Sequence, residues 1–143
     1  ETIEEGIKLN LTSPILLTKY VSRHMLESRQ GRIINISSIV ASTGYSGLSV
    51  YAASKAGLIG FTKSLSREVG RRGLTVNAIQ PGFMSTDMTK GLQGDQLQKM
   101  IRRSALHSLP ETIDVARLVS FLMGPGGDHI TGTSFVVDSG NTA

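Results

Sequence analysis

Tyr51 and Lys55 stand four residues apart in Ser49-Val-Tyr-Ala-Ala-Ser-Lys-Ala-Gly, and a serine pair, Ser37-Ser38, closes an apolar run thirteen residues upstream of the tyrosine. Positions i and i+4 of a helix share a face, so the Lys55 ammonium is expected beside the Tyr51 hydroxyl. A phenol ordinarily ionises at about 10, and a neighbouring cation favours phenolate and lowers that value. The chemistry such a pair serves is proton transfer to or from a carbonyl or alcohol oxygen. Ser38, at the carboxyl end of a strand in an α/β pattern, is expected where such sheets bind their ligands. Ser37 is its competitor, with strand-end capping as the structural alternative; the spacing to Tyr51 favours Ser38.

The elements that must position these groups are legible from periodicity. Helical spacing runs from about residue 3 to 28, with apolar Leu11, Ile15, Val21 and Met25, and ends at Gly31. Pro14 inside it is expected to bend or interrupt the first turns. Residues 32 to 36 read as a short strand, 39 to 48 as a loop, and 50 to 69 as a second long helix closed by Gly70 and Gly73. A strand over 74 to 79 follows, then a loop and a helix from about Gly94 to Arg103. Glu111 to Met123 reads as another helix, with Pro110 near its start and Gly124-Pro-Gly-Gly as its stop. Thr133-Ser-Phe-Val-Val-Asp is the last strand. Strands separated by helices imply a parallel α/β sheet with right-handed crossovers. There are no repeats, low-complexity segments or linkers.

Gly31-Arg-Ile-Ile-Asn-Ile-Ser-Ser, Tyr51-Ala-Ala-Ser-Lys-Ala-Gly-Leu-Ile-Gly-Phe, Leu74-Thr-Val-Asn-Ala-Ile-Gln-Pro-Gly and Pro81-Gly-Phe-Met-Ser-Thr-Asp-Met-Thr resemble the short-chain dehydrogenase/reductase family over nearly the whole chain. Within it the likeness is strongest to the 3-oxoacyl-[acyl-carrier-protein] reductases. The resemblance implies a Rossmann-like, doubly wound parallel sheet with flanking helices. It also implies that residues 1–143 are the C-terminal part of one such domain. The family's opening βαβ unit, with its Thr-Gly-x-x-x-Gly-x-Gly turn, and its later Asn-Asn-Ala-Gly are not among these residues, so roughly a hundred residues of an ordinary one-domain enzyme are expected to precede them.

The same resemblance implies the roles of individual residues. Tyr51 is the general acid in carbonyl reduction, or the base in the reverse. Lys55 is its electrostatic activator and a ribose-hydroxyl ligand. Ser38 holds the substrate carbonyl, a task suited to a preorganised hydroxyl donor, and Asn10 holds a water that relays protons from the lysine. Asparagine is a poor helix former, so Asn10 inside an apolar helical stretch needs a reason; a locally hydrogen-bonded, buried amide is the alternative. Asn35 is read as structural. Pro81 and Gly82 line the nicotinamide, and Thr86 bonds its carboxamide or a phosphate oxygen. Met84 and Met88, with Leu92 and Leu97, are candidates for a segment covering the substrate, because thioethers adapt to varied apolar surfaces; packing of a short helix pair is the alternative. Arg29 and Arg72 match positions that dock an acyl carrier protein.

The implied activity is NAD(P)(H)-dependent reduction of a carbonyl, first of all a 3-oxoacyl thioester, with NADPH expected over NADH. The alternatives are a related alcohol or sugar dehydrogenase, a broad carbonyl reductase, and a non-catalytic fragment or interaction subunit without its cofactor-binding half. Homotetramers are the family's common assembly. Two departures from the subgroup bear on substrate: Ser104-Ala-Leu-His-Ser-Leu-Pro-Glu replaces Pro-Leu-Gly-Arg-x-Gly-x-Pro-Glu, and Val137-Asp-Ser-Gly stands where Val-Asp-Gly-Gly is common.

Composition sets the remaining bounds. A chain with 39% hydrophobic and 18% charged residues is ordinary for a globular domain. It has no cysteine, which removes disulfides and thiolate metal sites and fits a reducing compartment. His24, His107 and His129 show no ligand spacing, so no metal is expected. No apolar run reaches the ~18 residues that span a bilayer. A cytoplasmic location is expected, or an organellar matrix if an N-terminal address precedes the chain. The net charge of +4 with only 5% aromatics supplies few stacking platforms for nucleic acid; an acidic carrier or a phosphorylated cofactor explains it equally well.

Overall fold

The computed structural model describes residues 2–84 and 94–143 of the 143-residue chain. Helix α1 (Ile3–Ile7) leads through a π-helical turn (Lys8–Thr12) into α2 (Ser13–Ser28). Strand β1 (Gly31–Ile36), a short helix α3 (Val40–Thr43) and the long α4 (Ser49–Val69) follow. A 3-10 turn at Gly70–Arg72 precedes strand β2 (Leu74–Pro81). Helices α5 (Asp95–Arg103) and α6 (Thr112–Met123), a second 3-10 turn (Pro125–Gly127) and strand β3 (Ser134–Val137) complete the described order.

The three strands form one parallel sheet in the order β1-β2-β3, with Gly31 opposite Leu74 and Ala78 opposite Ser134. All eight residues of central β2 are buried, as expected of a parallel strand covered on both faces. Leu74 and Val76 meet Val69 and Leu65 of α4, Met25 and Leu26 of α2, and Ile33 of β1, forming the core under the strand starts. Asn77 and Gln80 of β2 are paired rather than orphaned. Asn77 donates to the Ile130 carbonyl at 2.7 Å and accepts from the Thr133 amide at 3.2 Å. Gln80 donates to Ser134 at 2.8 Å and accepts from Ser42 at 2.8 Å. Asn35 is structural, as read: its amide donates to Thr62 at 2.9 Å and joins β1 to α4.

Two local features differ from the sequence expectation. The interruption assigned to Pro14 takes the form of a π turn, in which the Ser13 amide donates to the Lys8 carbonyl. Pro14 has no N–H and so cannot donate to the Asn10 carbonyl, its α-helical partner; widening the coil by one residue accommodates this, and such turns recur at functional sites. The stretch 39 to 48, expected to be a loop, contains α3. Its four residues are too few for periodicity to reveal, and Gly44 at φ 68° ends it.

Candidate active site

The end of β1 is held in register with β2 beyond the last strand residue. The Ser37 amide donates to the Ile79 carbonyl at 2.7 Å and the Ile39 amide to the Pro81 carbonyl at 3.1 Å. Ser38 lies between these two bonds, at the carboxyl end of the sheet. The serines have separate partners. Ser37 is buried and its hydroxyl donates to the Lys55 carbonyl at 2.9 Å, tying β1 to α4. Ser38 is half-buried, and its hydroxyl accepts only a long 3.4 Å bond from the Val40 amide.

Helix α4 starts at this same end, so its first two turns carry Tyr51 and Lys55 to the serine. The Lys55 ammonium donates to the Ile36 carbonyl at 2.9 Å and lies 5.7 Å from the centre of the Tyr51 ring. The i, i+4 pair therefore meets as the helical spacing requires. Burial lowers the Lys55 pKa from its ordinary lysine value, because a desolvated ammonium is less stable than a hydrated one. Tyr51 is 36% exposed, enough for its hydroxyl side to reach a ligand. The Ser54 hydroxyl donates to the Tyr51 carbonyl at 2.7 Å, adding a fixed point one turn below.

Asn10, at the centre of the π turn, lines a cleft of about 240 Å³ together with Tyr51, Gly6 and Leu48. The structure thus brings Asn10 and Tyr51 to one opening. Pro81 and Gly82 follow β2 at the same end of the sheet, where the Gly82 amide donates to the Val137 carbonyl at 2.9 Å. A β-carbon on Gly82 would stand 2.8 Å from the Asp138 backbone, so the β2 and β3 ends approach too closely for any side chain. Met84 is half-buried just beyond. Thr86, Met88 and Leu92 lie outside the described residues.

Arg29 and Arg72 are placed elsewhere. Arg29 caps α2 in the left-handed conformation, and the β-carbon position of Gly73 is 2.5 Å from its carbonyl oxygen. The two arginines therefore flank the strand starts, about 20 Å from Ser38 at ~3.3 Å per strand residue. Among the described residues no group of three His, Asp or Glu side chains could hold a metal, and no helix is long and apolar enough to cross a membrane.

The sequence reading passed over Gln80. It bridges Ser42 on α3 and Ser134 on β3, and so positions the helix that follows Ser38. A long amide inside an otherwise buried strand was the signal, since such a group needs partners. It also passed over Ser104, which is buried. The Ser104 hydroxyl has its one proton within reach of the Ile101 and Ser108 carbonyls, at 2.9 and 2.8 Å, and accepts from the Ser108 amide at 3.1 Å. The divergent segment after α5 is thus a closed turn.

What this arrangement can do chemically is exchange a proton between the Tyr51 phenol and a bound oxygen, beside a partly desolvated ammonium. Comparison with known proteins bears on that chemistry. A family model described as enoyl-(acyl carrier protein) reductase matches residues 1–142. The chain is 46% identical over 134 residues to the 3-oxoacyl-[acyl-carrier-protein] reductase FabG of Vibrio cholerae, covering 94% of this chain and 55% of the relative. It is 44% identical over 142 residues to FabG of Rickettsia felis, covering 98% and 58%. A 4-hydroxyisoleucine dehydrogenase complexed with NADH superposes with a TM-score of 0.92 at 30% identity, over 95% of this chain and 57% of that one. The chain therefore spans a little over half the length of the proteins it matches.

Proposed function

We propose, for a chain that belongs to the short-chain dehydrogenase/reductase family, that it carries the catalytic half of an NAD(P)(H)-dependent carbonyl reductase whose first substrate is a 3-oxoacyl thioester. The observation that carries this reading is Lys55 bonded to the Ile36 carbonyl and 5.7 Å from the Tyr51 ring, one strand end away from Ser38.

The residues present fit a nicotinamide ribose. An ammonium has three donors, and Lys55 spends one on Ile36, leaving two for ribose hydroxyls. Pro81 and Gly82 would line the nicotinamide at the carboxyl ends of the strands, where such sheets bind dinucleotides, and Thr86 would bond its carboxamide. When bound, the cofactor supplies or accepts the hydride. Ser38 holds the substrate oxygen and Tyr51 gives it a proton in reduction or takes it in oxidation. Lys55 stabilises negative charge on the phenol oxygen as the proton leaves, and Asn10 holds water that restores the proton from solvent. Met84 and Met88 contribute to the cover over the acyl chain.

Residues 1–143 are, on this reading, the C-terminal part of one Rossmann-type domain. In the described residues β1 pairs with β2 alone, and Ile36 at its outer end is 42% exposed. An open groove of about 230 Å³ along β1 is lined by Leu17, Val21, Met25 and Ile33. Preceding strands would cover both and bring the glycine-rich phosphate cradle. Exposed Ile3, Leu9, Leu17 and Tyr20 on α1, the π turn and α2, beside the small outward residues Ala53, Ala56 and Gly60 of α4, support a homotetramer built through these helices. NADPH as cofactor, a cytoplasmic site of action and carrier docking at Arg29 and Arg72 belong to the same proposal; that patch would grip a carrier's surface rather than the reacting thioester.

The open β1 edge also favours a second reading, in which the 143 residues alone bind no cofactor. Intact mass under denaturing conditions, followed by NADPH oxidation with acetoacetyl-CoA on the same sample, separates the two. Turnover that is lost in Tyr51→Phe supports the reductase. Turnover that survives the substitution, or a lone 15.3 kDa species without cofactor binding, overturns it for this chain.

A further inference from the structure

A cavity of about 550 Å³ opens beside α3, after Ser38, rather than at Tyr51. Its wall is mixed: Ile39, Val40, Phe83 and Met100 supply the apolar part, and Thr43, Tyr45, Asn141 and Thr142 stand beside them. Its rim carries Lys99 and Arg103, four residues apart on α5 and hence on one face, with ~6 Å of rise between them. Among the described residues no acidic side chain lines the cavity, and neither cation takes part in an ion pair.

Helix α5 is fastened by one bond, and the turn after it by two, to the segment after β3. Asn141 donates to the Met100 carbonyl at 3.3 Å, the Ala105 amide to the Gly140 carbonyl at 3.3 Å, and the Leu106 amide to the Ser139 carbonyl at 3.1 Å. Both side chains are exposed; Asp95 stands one turn before Lys99 on the same face, and no acidic residue stands one turn after Arg103. An anion between Lys99 and Arg103 gains charge-assisted hydrogen bonds.

We infer that this cavity binds an anionic group on the substrate, a carboxylate or phosphate monoester, at the far end of an apolar chain whose oxo group lies at Ser38. The inference deepens the carbonyl-reducing reading and rests on it. The chain contributes the apolar length that Ile39, Val40, Phe83 and Met100 enclose, and Lys99 with Arg103 sets the end group.

The test measures equilibrium binding by ligand-observed NMR to the full-length protein, with 6-oxoheptanoate against its methyl ester and 5-oxohexyl phosphate against 5-oxohexanol. The expected result is on the order of tenfold tighter binding of at least one anion than of its neutral partner. The preference shrinks in high salt and is lost in Lys99→Gln/Arg103→Gln, whose circular dichroism checks the fold. The pair that shows the preference identifies carboxylate or phosphate as the end group. Equal binding of charged and neutral partners, no binding of either anion, or a preference that survives the double substitution overturns the inference. Because binding is read without turnover, failure of the reductase reading appears separately, as intact anion preference with no Tyr51-dependent reaction.

Discussion

Replacing Thr62 by valine preserves shape and removes one hydroxyl that does two things. It accepts from the Asn35 amide at 2.9 Å and donates to the Leu58 carbonyl at 2.8 Å. Leu58 loses little, because within α4 its carbonyl also faces the backbone amide of residue 62. Asn35 loses more: it is only 7% exposed, so its amide stays desolvated without a partner. That penalty is about 1–3 kcal/mol. Asn35→Leu removes the amide itself and leaves the Thr62 hydroxyl bonded to Leu58, so its expected cost is the smaller net value of one hydrogen bond, about 0.5–1.5 kcal/mol. In the double variant no orphan remains, and the cost should fall below the sum of the singles by about 1 kcal/mol. Urea unfolding of the four proteins gives the cycle directly. Because this bond docks β1 on α4, and so Ser38 against Lys55, Thr62→Val should also lower kcat/KM, a misplacement of about 1 Å being worth up to ~100-fold. Singles that add to within about 0.5 kcal/mol, with kcat/KM intact, would refute the role given to this contact.

The remaining expectations are briefer. On the proposed reading Tyr51→Phe removes the proton donor, and it should then reduce kcat by roughly 100- to 10,000-fold while leaving the urea midpoint nearly unchanged. Lys55 has a folded-state pKa lowered by burial, so the unfolded chain binds more protons between that value and the unfolded one of about 10.4. Relative to Lys55→Met, the parent should therefore gain stability as pH rises through that window and lose it as pH falls; urea midpoints of both proteins across the alkaline range test this, and the reverse slope would mean that the Ile36 carbonyl outweighs burial. Ser139 holds φ 57°, a conformation that costs a side chain, so Ser139→Gly should raise the unfolding free energy by about 0.5–1 kcal/mol. Gly73, at φ 80° with a β-carbon position 2.5 Å from the Arg29 carbonyl oxygen, should lose about 2–4 kcal/mol on change to alanine in the same assay.

Ser139 and Ser104 also explain how far the divergent segments depart from the family pattern. Where the subgroup commonly has glycine, Ser139 takes a left-handed turn, and the Asp138 carboxylate accepts from the Gly140 and Thr142 amides at 2.9 and 2.8 Å to hold it. Where the subgroup has a Pro-Leu-Gly-Arg stretch, Ser104 closes its own turn.

Helical spacing and apolar patterning were sufficient for the long helices, the three strands and the meeting of Tyr51 with Lys55. These depend on interactions within a few residues, which a local stretch of sequence encodes. The family likeness rests on the same contiguous runs. The spacing to Tyr51 favoured Ser38 over Ser37, but the partners of the two hydroxyls were not legible locally, because the bond from Ser37 to the Lys55 carbonyl forms only once β1 packs on α4. The approach of Arg29 to Gly73 at the far end of the sheet, the bridge from Ser42 through Gln80 to Ser134, and the gathering of Lys99 and Arg103 over Ile39 and Phe83 have the same origin. Each joins residues separated by tens of positions. Only strand register and helix packing, driven by burial of the whole of β2, bring such partners together.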